Sequence, residues 1–387
     1  MDGVLLSVLL RCKLSLLARG DVFKKPTANK ALRSMRLLPI YRMEDGAGNE
    51  QAAKNQQTFN ECYEIFRKNG MVLIFPEGYC VSERRLRPMK KGAAKMAFEA
   101  IEKYPEMDLQ VIPVGMNYSN SGHFREEVCI NFGHPIAVQS YMELLKEGKQ
   151  NKAITDFNTK LFEDLEREMV IIKDPSNDQV GNQYLLMARN QYKPAFFGFF
   201  KKTKKRFLAE KRAANDLNHL SETNPESFET FRNNISNYFE TLKNLKIKDK
   251  YFAIPVFEKI LYLIFTIVFA VTALVGLLLN FIPVRMAKNI AGAKVKKIEF
   301  YDSVYMGSAA IIGIIYSLLL IIICIGFMGW VGVFMGIGIR LLGYLFLFWQ
   351  EAAFNTKYWY IVLLTRKGRS MRNSLHSQRK FILDYFG

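Results

Sequence analysis

The residues best placed to do chemistry surround Glu77. The apolar run Met71-Val72-Leu73-Ile74 has the length and composition of a buried strand, and it closes on Phe75-Pro76-Glu77-Gly78. A carboxylate at the carboxyl end of such a strand stands where open α/β sheets bind their ligands. There it can orient a substrate hydroxyl or a partner histidine; its plainer reading is a turn carboxylate. Gly78 after it permits positive φ or a close backbone approach. Cations crowd the same region. Arg42 ends the strand pattern over 36–42, and Arg84, Arg85, Arg87, Lys90 and Lys91 follow Glu77. Arginine grips phosphate bidentately. Each cation alone reads as a solvated surface charge, but their density around one acidic strand end points to a phosphorylated substrate. Pro113, in Val111-Ile112-Pro113-Val114, closes a further strand pattern.

These residues need a sheet to position them. Asp2 can N-cap a helix running to residue 10. Residues 14–18 and 36–42 read as strands, and Phe59, Cys62 and Phe66 mark one face of a helix leading into strand 71–76. A helix is predicted over 92–104, and strands over 109–114 and 128–132. Apolar strands alternating with helices predict an α/β domain with a largely parallel, covered sheet over residues 1–175.

Residues 176–255 are polar and helical in composition, and predict a basic helical extension. Within it, Phe196-Phe197-Gly198-Phe199-Phe200 runs into Lys201-Lys202-Thr203-Lys204-Lys205-Arg206. Aromatics beside cations suit an interfacial anchor on an anionic bilayer. A solvated basic helix and a nucleic-acid patch are the alternatives, the last the least favoured. A membrane region is predicted over 256–350, with spans at about 260–283, 304–326 and 330–349, followed by a basic tail over 351–387. Gly326 and Gly329 mark a tight turn between the last two spans, and Gly332 and Gly336 are spaced for close helix packing. Arg340 falls inside the last span, at a cost of ~3 kcal/mol on insertion scales. It must therefore face a partner or a cavity unless the segment does not cross. Three full crossings would also set the basic loop 285–297 opposite the basic soluble part, against the positive-inside tendency. A re-entrant or surface-lying first segment removes the conflict.

The formal charge of +18 over 387 residues calls for an anionic partner. The apolar last third favours an anionic phospholipid membrane over nucleic acid. The five cysteines are odd in number and lack metal-type spacing, so they read as free thiols of a reducing compartment. No secretory signal peptide is expected, because Arg11 and Lys13 break the first apolar stretch. The chain is expected to be an integral membrane protein with its catalytic domain on the cytoplasmic face.

Four ordered blocks carry a resemblance. L-A-R-G-D-V-F-K-K-P (17–26), L-L-P-I-Y-R (37–42), F-P-E-G (75–78) with R-P-M-K-K-G-A-A-K-M-A (87–97), and V-I-P-V-G-M-N-Y (111–118) resemble the glycerolipid acyltransferases, over roughly residues 2–136. That family comprises the glycerol-3-phosphate and 1-acyl-glycerol-3-phosphate (lysophosphatidate) O-acyltransferases of phospholipid biosynthesis. The resemblance implies transfer of an acyl group from a fatty acyl thioester, on coenzyme A or acyl carrier protein, to a glycerol phosphate. No metal or redox cofactor is implied. Arg42, Lys90 and Arg84 would hold the phosphate. Phe75, Pro76, Glu77 and Gly78 would shape the acceptor pocket, and Pro113 the acyl side.

The family's first motif is H-x-x-x-x-D, a histidine general base with an aspartate that orients it. Asp2 aligns with that aspartate, which sets the histidine four residues before Met1. The residues five positions after His123, His134, His219 and His376 are Val128, Gln139, Asn224 and Phe381, so no histidine within the sequence replaces it. Two expectations follow. Either the start is mis-set or truncated, which is favoured, or the chain is a catalytically inactive, membrane-anchored phosphate- or lipid-binding protein. Tyr79-Cys80 departs from the family pattern and weakens phosphate contacts at position 80.

Overall fold

The computed structural model describes residues 2–10, 12–41, 48–79, 83–120, 127–192, 203–295 and 298–386. The chain divides into two compact units: residues 1–117 with 130–169, and residues 118–129 with 170–387.

The first unit opens with helix α1 (Asp2–Leu9) and strand β1 (Leu14–Arg19). A 3-10 turn over Gly20–Phe23, helix α2 (Pro26–Ser34) and strand β2 (Leu37–Ile40) follow. Helix α3 (Gly48–Arg67), strand β3 (Met71–Leu73) and helix α4 (Gly92–Lys103) complete the sheet region. The three strands pair in parallel in the order β2-β1-β3, with Leu16 opposite both Leu37 and Leu73. The central strand is covered on both faces, which explains its unbroken apolar reading. On one face, Leu17 and Leu38 pack under Phe59, Cys62 and Tyr63 of α3 and Met96 and Ala100 of α4. On the other, α1 lies so close that a Cβ on Gly3 would fall 2.3 Å from Leu16 Cδ2. The alanines 93, 94, 97 and 100 of α4 are buried and let that helix approach closely.

The parallel sheet is smaller than the strand pattern predicts. Residues 109–114 form two pieces, strand β4 (Gln110–Val111) and strand β5 (Val114–Tyr118), parted at Ile112-Pro113. Proline has no N–H for a ladder, which accounts for the break. β5 pairs with strand β6 (Val128–Phe132), and β4 pairs antiparallel with strand β7 (Ile136–Ala137). Helices α5 (Met142–Lys146) and α6 (Gln150–Glu168) close the unit. Here Phe98, Tyr141 and Phe157 form a ring triad with centroids 5.6 Å apart.

The second unit contains helices α7 (Asp178–Arg189), α8 (Thr203–Thr223), α9 (Pro225–Leu245) and α10 (Lys250–Ala253). Helices α11 (Val256–Val268), α12 (Ala270–Lys294), α13 (Ile298–Met328), α14 (Val331–Leu364) and α15 (Arg366–Leu383) follow. The residues of the expected basic tail are helical and packed. Leu375 and Ile382 of α15 are buried in one core with Phe231, Ile235 and Tyr238 of α9 and Leu185 of α7. A polar hub fastens them. Asp249, 1 % exposed, accepts hydrogen bonds from Asn190 Nδ2 (2.9 Å), Tyr238 OH (2.7 Å) and Arg379 Nε (2.8 Å). Burial pushes the Tyr238 phenol well above its ordinary range, with the Asp249 carboxylate adding to the effect. Arg206, expected among anchor cations, is also buried and pairs with Glu127, which Arg189 joins at 3.1 Å. The aromatics 196–200, with Lys201 and Lys202, lie outside the described residues.

Among the described residues, three helical segments are long and apolar enough to cross a membrane: Ala270–Ala293, Ser303–Met328 and Val331–Leu364. The first lies later than the expected 260–283, because the helix breaks at Phe269 and α11 is a separate element. α13 and α14 turn about Gly329, whose φ is +58°. Gly332 and Gly336 seat α14 on α13: a Cβ at Gly332 would stand 2.2 Å from the Cys324 backbone, and one at Gly336 2.7 Å from Ile321 Cγ1. Gly332→Val should therefore force the hairpin apart, lowering the thermal midpoint of the detergent-solubilised chain by several degrees. Gly338→Val, where nothing lies within 4 Å, should leave it unchanged.

Arg340 has found the partner its position demands. Its Nη1 donates to Asn280 Oδ1 at 2.7 Å, and its guanidinium lies 5.9 Å from the Tyr316 ring. Asn280 in turn donates through Nδ2 to the carbonyls of Gly276 (2.9 Å) and Ile339 (3.0 Å).

Candidate active site

Three chain segments reach the carboxyl edge of the parallel sheet, each from a different element. The first is the start of α1. This helix of 8 residues runs back along β1, since Gly3 rests on Leu16 while Leu9 precedes the strand. Asp2 is thereby carried toward the edge at which β1 and β3 end.

The second segment is the exit of β2. Gly20, just past β1, leaves room for the Tyr41 ring: a Cβ there would meet Tyr41 Cδ1 and Cε1 at 2.3 Å. Asn55 of α3 clamps the Tyr41 backbone from both sides, accepting from its N–H at 2.8 Å and donating to its carbonyl at 2.7 Å. Thr58 Oγ1, one turn along, donates to the Pro39 carbonyl at 2.8 Å. This fixes the chain immediately before Arg42, which itself lies outside the described residues. The clamp escaped sequence reasoning. Its only trace was a pair of polar residues, Asn55 and Thr58, on the same face of α3 as Phe59 and Cys62.

The third segment is the Phe75-Pro76-Glu77-Gly78 turn. Gly78 takes φ +73°, the left-handed region that favours glycine, and its N–H donates to the Phe75 carbonyl at 3.2 Å. The loop that follows folds back on the turn, with Lys90 N–H donating to the Pro76 carbonyl at 2.8 Å and Arg87 N–H to Glu77 Oε2 at 3.1 Å. The side chain of Lys90 crosses Gly78 and sets Nζ 5.0 Å above the Tyr79 ring. Half-burial raises the Glu77 carboxyl above its ordinary range, and the Arg87 N–H and charge work against that shift. Phe75 is 41 % exposed at the strand exit.

The sheet thus brings the approach to Arg42, Phe75, Pro76, Glu77, Gly78 and Lys90 to one edge, with α1 running toward it. Two neighbouring cations are engaged elsewhere: Arg85 Nε and Arg87 Nη2 pair with Glu83 at 3.2 and 3.3 Å. Arg84 lies in the same bend. Pro113 stands in the β4–β5 break, where its carbonyl accepts from Gly133 N–H at 2.8 Å. Cys80 and His123 lie outside the described residues. A carboxylate, a lysine and a glycine turn around one sheet edge can orient a phosphorylated alcohol.

Comparison with known proteins gives the same region a relationship. Residues 1–117 match the family model described as Acyltransferase. An uncharacterized acyltransferase of Schizosaccharomyces pombe is 30% identical over 158 residues, 40% of this chain and 23% of that protein. Glycerol-3-phosphate O-acyltransferase 2 of Saccharomyces cerevisiae is 28% identical over 141 residues, 36% of this chain and 18% of its own length. Glycerol-3-phosphate O-acyltransferase 1 of the same yeast is 34% identical over 95 residues, 24% and 12% of the two chains. The matched part of this chain therefore spans less than a quarter of these relatives. No solved structure matches it significantly.

Proposed function

We propose that this chain, whose residues 1–117 match the Acyltransferase family model, acylates glycerol-3-phosphate or lysophosphatidate from a fatty acyl thioester. The observation that supports the reading is that the clamped exit of β2 and the Glu77–Lys90 turn both follow the carboxyl ends of strands in one three-stranded parallel sheet.

In the proposed reaction the acceptor hydroxyl oxygen attacks the thioester carbonyl carbon. The C–O bond forms, the C–S bond breaks, and the hydroxyl proton passes to the histidine base of the family motif. The thiolate leaves and takes up a proton. Asp2 would hold that imidazole in the correct tautomer. Lys90, Arg42 and Arg84 would bind the acceptor phosphate, so that one ordered pocket serves either acceptor. Glu77 would orient the glycerol hydroxyl, with Phe75, Pro76 and Gly78 shaping the pocket around it and Pro113 the acyl side. Coenzyme A or acyl carrier protein would present the acyl group, and no metal or redox cofactor is required. The proposed setting is an anionic membrane, with the catalytic part on its cytoplasmic face.

A second reading, a membrane-anchored phosphate- or lipid-binding protein without turnover, draws on one observation. None of the four histidines of the sequence stands five residues before an aspartate. The coding sequence just upstream of Met1 separates the two. An in-frame histidine codon four positions before it favours the enzyme.

The function is tested by thiol release from acyl-coenzyme A on addition of glycerol-3-phosphate or lysophosphatidate, using the chain extended upstream. Acceptor-dependent release is expected. Glu77→Ala should lower kcat/KM at least tenfold, a loss of ~1.4 kcal/mol in transition-state stabilisation, with the melting temperature held. Unchanged kcat/KM in Glu77→Ala would remove Glu77 from the site.

A further inference from the structure

We infer that the chain enters the bilayer from one side, crosses it only twice, through α13 and α14, and inserts α11–α12 as a re-entrant segment that returns to the side it came from. The inference rests on reading the second unit as membrane-embedded and is independent of the acyl-transfer reaction.

The first argument is parity. Tyr251, just before α11, lies in the same buried core as Tyr358 and Val362 at the end of α14 and Leu375 of α15. The chain therefore leaves the helical core at residue 255 and is back in it by residue 358. A path that begins and ends on one side crosses an even number of times. Among the described residues three apolar helices are long enough to span, so one of them does not cross.

The contacts say which. α13 and α14 form an antiparallel pair about Gly329: Cys324 meets Gly332, Ile321 meets Gly336, and Gly313 meets Arg340. The start of α13 therefore lies on the same side as the end of α14. α11 and the first half of α12 descend along α14. Tyr262 packs with Ala352, Trp349 Nε1 donates to the Thr266 carbonyl at 2.8 Å, Gly276 meets Leu342, and Asn280 bonds Ile339 and Arg340. The descent stops at Arg340. Beyond Asn280 the helix carries Pro283, and by Ala287 it lies against Ser308, 3.5 Å from Ala287 O to Ser308 Oγ. Ser308 precedes Gly313 and is nearer the start of α13. Past Asn280, then, α12 moves back toward the helical core. Its deepest described contacts are at Leu279 and Asn280, where Tyr316 OH donates to the Leu279 carbonyl at 2.6 Å and Asn280 bonds Ile339 and Arg340, so the cation is met by the amide of a segment that goes no further.

Charge agrees with the same path. The segment 285–297 carries Arg285, Lys288, Lys294, Lys296 and Lys297 with no acidic residue, and 366–380 carries Arg366, Lys367, Arg369, Arg372, Arg379 and Lys380 with none. The turn 326–333 carries no charge at all. An even path sets both basic segments against one leaflet and the uncharged turn, with Trp330 86 % exposed, against the other. The fitting partner is an anionic leaflet on the basic side.

The test uses Lys248→Cys, Lys288→Cys, Trp330→Cys and Ser370→Cys in the full chain, in sealed membrane vesicles of one orientation prepared from expressing cells. A membrane-impermeant maleimide is applied before and after permeabilisation, and labelling is read as the increment over the unsubstituted chain. Positions 248, 288 and 370 should label from one face and 330 from the other. Pairing of 248 with 330, and of 288 with 370, would establish three crossings and overturn the re-entrant path while leaving the membrane reading intact. Labelling of all four in sealed vesicles would overturn both.

Discussion

A chain extended upstream to carry a histidine five positions before Asp2 should acylate its glycerol phosphate acceptor at least ~100-fold faster than residues 1–387 alone, the span that general-base catalysis ordinarily supplies. An alcohol is a poor nucleophile toward a thioester until its proton is taken as the C–O bond forms. None of the four histidines stands five residues before an aspartate. Glu77 is half-buried and tied to Arg87 N–H, which suits orientation of a hydroxyl rather than repeated proton transfer. His134 follows β6, His219 lies in α8 and His376 in α15, and His123 lies outside the described residues. On the proposed reading a base acts from ahead of α1, whose first turn packs on Leu16 of β1. Thiol release under saturating acceptor gives kcat for the two forms. The extended form should lose activity as the pH falls through about 6.5, the ordinary imidazole value, and its His→Gln version should fall to the level of residues 1–387. Comparable turnover by both forms would detach Asp2 from catalysis.

Asp249→Ala should cost the second unit about 3–5 kcal/mol, the range found when one partner of a buried ion pair is removed. The carboxylate is 1 % exposed and holds three donors drawn from α7, α9 and α15. Its loss leaves the Arg379 guanidinium, 12% exposed, without its counter-charge, and strands the Tyr238 hydroxyl in the core. For a unit of this size the thermal midpoint should drop by roughly 10 °C. Proteolysis should then cut first within 366–386, because Arg379 is the tie that holds α15 to the hub. Removing both charges, as Asp249→Leu with Arg379→Leu, should recover much of the loss, since it is the unpaired charge that is costly. If Asp249→Ala alone left the midpoint unchanged, the hub would not hold the last helix.

The site was legible in sequence to the extent that it depends on local chemistry. Phe75-Pro76-Glu77-Gly78 reads as a strand end, and the glycine takes the left-handed backbone expected of it. Lys90 stands among the cations that follow Glu77 in the sequence, and its loop folds back on the turn. What was illegible is the set of tertiary ties behind these residues. Asn55 looks like any polar helix residue until it is seen holding both hydrogen-bonding groups of Tyr41. Arg206 looks like one more cation of a basic run, and is instead buried against Glu127, far along the chain. Charge density along a sequence does not reveal which cations have found carboxylates.

The sequence by itself determined the alternation of strands and helices in the first part, the motif blocks and the apolar helices of the last third. Periodicity, proline and glycine act locally, over one or two turns of chain, and so leave their mark in residue order. Only the tertiary structure decided that the expected basic tail is a packed helix, that Arg340 is matched by Asn280, and that the chain comes back to the core from which it entered its apolar helices. Those outcomes depend on contacts between residues 60 to 130 positions apart. There the need to pair a buried charge and to cover apolar faces chooses the partner, and neither requirement is written in local spacing.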